Sequence, residues 1–150
     1  MESNESNDLF FTCGLLEYIG RSTNNKRKFI TEKIGIDGLT WIYKNAQVLH
    51  CENILAVIDE VVTKHGIEND VEKNFKYKEK LPPPFWVGRT YSNLITNFVD
   101  FSDTQKLIEK TYEVMTSWLV NDITNFNSDL FYQNNSYLKA CYEEGDILWD

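Results

Sequence analysis

Cysteine is scarce and unpaired in this chain. Cys13, Cys51 and Cys141 are the only three, widely separated and without a CxxC spacing. Such a set argues against a disulfide framework and leaves a tetrahedral zinc site without clustered ligands. All three are expected as reduced thiols, with Cys13 inside a buried helix. Long apolar runs are missing too. The longest, around Leu9–Ile19, is interrupted by Thr12, Gly14 and Glu17, so nothing there spans a membrane. The opening MESNESND has neither the basic nor the apolar region of a signal peptide, and a cytoplasmic location is expected. The seven glycines are scattered and form no Walker loop and no GxGxxG, which removes the phosphate-cradling signatures. No stretch of alternating polarity demands a β-strand.

What is present is a helical period and an uneven charge. A chain of 150 residues that is 42% hydrophobic and 14% aromatic can bury the core of one domain. The net charge is −8. Arg21 to Lys33 holds five bases against Glu32, a local +4, and Lys73 to Lys80 four lysines against Glu79, a local +3. From Asp100 to Asp150, ten acids face Lys106, Lys110 and Lys139, a local −7. An acidic chain is poorly suited to indiscriminate nucleic-acid binding, since phosphate contacts carry most of that affinity. It suits steering toward a basic protein, or solubility alone.

The expected architecture is an all-α bundle of about six to eight helices in two halves, 1–66 and 85–150, joined by a Pro-rich connector at 67–84. Leu9–Ile19 is apolar almost all round, as in a helix buried between others, with Asn7 or Asp8 as its cap. Lys26–Ile34 forms a short helix ended by Gly35. Leu39, Ile42, Ala46 and Leu49 place one stripe on a third, and Ile54 to His65 make a fourth that stops at Gly66. "IENDVEKNFKYKEKLPPP" breaks the period. Pro84 then opens a helix over Phe85–Phe98. Ser102 and Asp103 cap a long helix that runs to Phe126, and short helices over Ser128–Gln133 and Ser136–Glu144 close the chain at Gly145.

"KRKFITEKIGIDGLTWI", Lys26 to Ile42, raises the question of a DNA-binding helix-turn-helix. Thr31, Gly35 and Trp41 occupy its small, turn and packing positions, but tryptophan is too large for the last. The second helix opens on Asp37 and offers only Lys44, Asn45 and Gln47 to base edges. Lys26, Arg27 and Lys28, with Arg21 nearby, could touch phosphate. A small DNA-binding regulator built on residues 26–47 is therefore the alternative reading.

Chemistry is sparse. "LHCEN" sets His50, Cys51 and Glu52 side by side, yet adjacent residues at a helix junction seldom face one another, and a catalytic pair needs hydrogen-bond reach. Three metal ligands are not available there, because the only other histidine is His65. Glu143 and Glu144 point about 100° apart on a helix, and Glu109 and Glu113 alternate with Lys106 and Lys110 as on a solvated face. No catalytic residue, cofactor or metal is expected.

Two segments could carry a partner. "LPPPFWVGRTY" joins a stiff entry to Phe85, Trp86, Arg89 and Tyr91, which anchor an interface if exposed and pin the connector if buried. "YLKACYEEGDILWD" mixes Tyr142 and Trp149 with Glu143, Glu144 and Asp146. Together with Asp100, Asp103, Glu109 and Glu113, these residues form the expected partner-binding set.

Cys13, Glu17 and Tyr18 in a "CxxxEY"-like core, then Gly35, then Val48, Leu49 and His50 make residues ~9–65 resemble a family of short uncharacterised bacterial proteins. Its genes lie beside genes for ADP-ribosyltransferase-like proteins. The resemblance implies an accessory or neutralising role, in a bacterial or phage setting, and does not reach the chain beyond Pro82. The expectation is thus a non-enzymatic antitoxin, immunity or inhibitor-type protein that occludes a basic surface of an effector, a toxin or a nucleic-acid-binding enzyme.

Overall fold

The structure is a computed structural model, and it describes residues 4–69, 81–124 and 130–148. Among these are eight α-helices and one 3-10 turn, with no strand, so the all-α expectation holds.

The central element is α1, Asn4–Thr23, buried along nearly its whole length from Leu9 to Gly20. A helix surrounded on all sides needs apolar residues on all sides, which this run supplies. It begins earlier than expected. Asn7 and Asp8 lie within its first turns rather than capping it, and Glu5 is the acid that complements the helix dipole.

Next, α2 covers Arg27–Lys44 and is interrupted at Gly35, whose φ of 73° and ψ of 175° belong to a region open essentially to glycine. The expected helix end at Gly35 is this break. The stripe running on to Leu49 is broken once more at Asn45, whose side-chain amide donates to the Trp41 carbonyl at 2.8 Å. The one-turn α3, Ala46–Leu49, follows. α4, Ile54–His65, matches its expected bounds. Asn53 accepts from the Leu55 N–H at 2.9 Å, and Gly66 takes the left-handed φ of 62°.

In the second half, α5 spans Pro84–Thr96 with proline in its first turn. α6, Thr104–Met115, is capped by Asp103, which accepts from the Lys106 N–H at 3.2 Å; Ser102 instead donates to Asp100. The single long helix expected to reach Phe126 is split, and α7 restarts at Trp118–Ile123. At the break the Thr116 hydroxyl donates to the Tyr112 carbonyl at 2.8 Å and the Ser117 hydroxyl to the Val114 carbonyl at 2.6 Å. Hydroxyls that bond carbonyls in this way compete with the helix ladder. Phe126 lies outside the described residues. The short helix expected over Ser128–Gln133 is, in its described part, the 3-10 turn Leu130–Tyr132. α8, Asn135–Glu144, starts under the Asn134 cap and stops at Gly145 (φ 77°).

The two halves share one core. α1 packs on α5 and α2 packs on α6, and Leu16, Ile30, Leu39, Leu94, Leu107, Leu119 and Leu138 belong to a single cluster. Each such side chain contributes roughly 1.5–3 kcal/mol by leaving water. The connector centred on residues 70–80 lies outside the described residues. No helix among the described residues is long and apolar enough to cross a membrane.

Candidate functional site

A cavity of about 750 Å³ opens where the start of α1, the α3–α4 junction and the first turn of α5 meet. Its apolar wall is Phe10, Phe11, Ala46, Leu49, Ile54 and Phe85, and its polar rim is Asn4, Asn7, Asp8, Gln47, His50, Cys51 and Glu52. Phe85 ties the three elements together. Its ring stacks on Phe11 at 5.9 Å and meets the edge of Tyr18 at 6.4 Å. It fits there because Gly14 has no side chain: a Cβ at that position would stand 2.1 Å from the Phe85 ring. The glycine on α1 therefore shapes a wall contributed by α5, 71 positions away in sequence.

Among the described residues, the charged groups that line the rim are acidic. Asp8 and Glu52 line the cavity, and Glu5 acts on Asp8. Burial pushes the Asp8 carboxyl above its ordinary value and the Glu5 charge adds to that, against a hydrogen bond from Gln47 and the attraction of His50. Behind it, burial together with Asp8 and Glu5 raises the Tyr43 hydroxyl to about 12. Among the described residues, Arg89 stacks over the wall residue Phe10 at 5.1 Å.

The α3–α4 junction departs from expectation. His50 caps α3, and its Nδ1 lies 3.1 Å from the Gln47 carbonyl oxygen. The neighbouring Cys51 Sγ stands 3.5 Å from that same Nδ1 and 3.4 Å from the same carbonyl. The two adjacent side chains do face one another, because the carbonyl at the helix end draws both toward it. Both residues are exposed at the cavity.

Of the expected partner-binding residues, the structure brings Trp86 and Arg89 to α5, next to the cavity wall at Phe85, and leaves the other described ones on and around α6 and α8. Trp86 is 68% exposed, so the pinning role falls instead to Phe85 and to the fully buried Tyr91. Val48 and Leu55, on the elements flanking the junction, are likewise exposed. The acidic set around α6 and α8 is largely occupied within the fold. Glu113 accepts from Tyr142 at 2.8 Å and pairs with Lys110 at 3.0 Å, and both contacts hold its carboxyl below the ordinary value. Lys110 lies over Phe98 and Tyr142, and Glu143 faces Lys139 at 3.9 Å. Asp100 accepts from Ser102, Asp103 caps α6, and Glu109 accepts from Gln105 at 3.2 Å. Asp146 accepts from the Ile147 N–H, and Glu144 is exposed. Trp149 lies outside the described residues.

The DNA-reading set loses a member. Arg27 is 4% exposed and bound to the buried Glu17, so its charge cannot reach phosphate. Asn45 spends its amide on Trp41. Lys26, Lys28, Lys44 and Gln47 remain exposed. Trp41, too large for a helix-turn-helix packing site, is half-buried with Lys64 over its ring at 4.4 Å.

Asp8, Phe10, Phe11 and Ile54 were not singled out by sequence as site residues. Their convergence depends on the packing of α1 against α3, α4 and α5, and only the "LHCEN" triplet hinted at it. Comparisons with protein-family models, with curated proteins and with solved structures find no match to this chain.

Proposed function

We propose that the protein binds another protein, as an antitoxin, immunity or inhibitor-type chain that covers a basic surface of its partner. The observation that carries this reading is Trp86, an indole left 68% exposed on the first turn of α5, one residue after Phe85 of the cavity wall. Exposed tryptophan and arginine near a desolvated pocket are the residue types that concentrate binding energy. The carboxylates of Asp8 and Glu52 at the rim favour an occupant carrying lysine or arginine next to an apolar side chain. Relative to the sequence-based expectation, the docking end moves from the acidic helices after Asp100 to the start of α1 and α5. The carboxylates on α6 and α8 supply the long-range field that steers a basic partner.

The test is a random peptide library panned on the immobilised protein. Enrichment of basic peptides with an apolar anchor is expected. Trp86→Ala should weaken the best of them by roughly 2 kcal/mol, the scale of an interface hot spot. The same change should leave the urea midpoint almost unmoved, since exposed sites alter stability by about 0.5 kcal/mol or less. Full retention of affinity in Trp86→Ala would sink the proposal.

A further inference from the structure

We draw no further inference here: the strongest candidate, the apolar cavity walled by Phe10, Phe11 and Phe85 between the start of α1 and the first turn of α5, belongs to the site already described, and nothing among the described residues shows what covers it.

Discussion

Arg27→Met, with Glu17 left in place, is expected to lower the stability of the fold by about 3 kcal/mol, the lower end of the cost of removing one partner of a buried ion pair, because Arg21 and Tyr91 still hold the carboxylate. Glu17 is fully buried on α1, and donors from three helices surround it. Arg27 donates from Nε to Oε1 at 2.9 Å and from Nη2 to Oε2 at 2.6 Å. Arg21 donates to Oε2 at 2.8 Å and Tyr91 to Oε1 at 2.7 Å. Burial alone would raise the Glu17 carboxyl, but the Arg27 bonds and charge, with Arg21 and Tyr91, outweigh it and hold the group below its ordinary value of 4.5. The carboxylate form is thus favoured by folding. The stability it contributes is present above pH 4.5 and is lost as pH falls through the lower folded value. Urea titrations at neutral pH should show the loss in Arg27→Met. In Glu17→Gln, the part of the acid sensitivity that belongs to this site should disappear. The double change Glu17→Met with Arg27→Met should cost less than the two single changes together, since the Glu17–Arg27 interaction is then lost once rather than twice, while Arg21 and Tyr91 lose their acceptor as in Glu17→Met alone.

Gly88→Ala should cost about 2–3 kcal/mol, through overpacking rather than lost contacts. A Cβ at Gly88 would stand 2.5 Å from both the Cα and the N of Gly14. Those are backbone atoms, and no rotamer can move them aside. Relief requires α1 and α5 to separate, which opens the core around Val87, Tyr91 and Leu94. Alanine returns up to about 1 kcal/mol of helix propensity, too little to offset the clash. Gly14→Ala offers a contrast, because its Cβ meets the Phe85 ring, a side chain at the cavity wall. That variant should alter peptide binding through the displaced ring. Thermal unfolding measured beside peptide affinity separates the two glycines. A Gly88→Ala protein as stable as the parent would show that the helices do not cross this closely.

Both of these features were hidden in the sequence, and for the same physical reason. Glu17 meets Tyr91 across 74 positions, and Gly14 meets Gly88 only because two helices cross there. Local pattern, by contrast, was readable. The glycine stops at Gly35, Gly66 and Gly145 and the proline start of α5 follow from backbone conformations that few other residues adopt. Arg27 lies between these cases. Its place in a basic run suggested phosphate, yet Arg27, Ile30, Thr31 and Ile34 are all buried. That i, i+3, i+4, i+7 stripe was in the sequence, and it points inward. The cavity was not readable, because its wall comes from separate helices and its rim from residues whose local patterns point to other roles: Asn7 and Asp8 to a helix cap, Gln47 to base edges, and His50, Cys51 and Glu52 to a helix junction.

The site itself is tested most directly by nitrogen-15 NMR of the labelled protein during titration with a basic peptide selected by panning. Docking at the cavity predicts that the Trp86 indole N–H and the amides of Asn7, Gln47, Cys51 and Phe85 shift together and saturate at one affinity. Amides of α8 and of Lys26–Lys28 should stay in place. Shifts centred on Glu143 and Glu144, or on the Lys26–Lys28 patch, with the Trp86 indole unmoved, would contradict it.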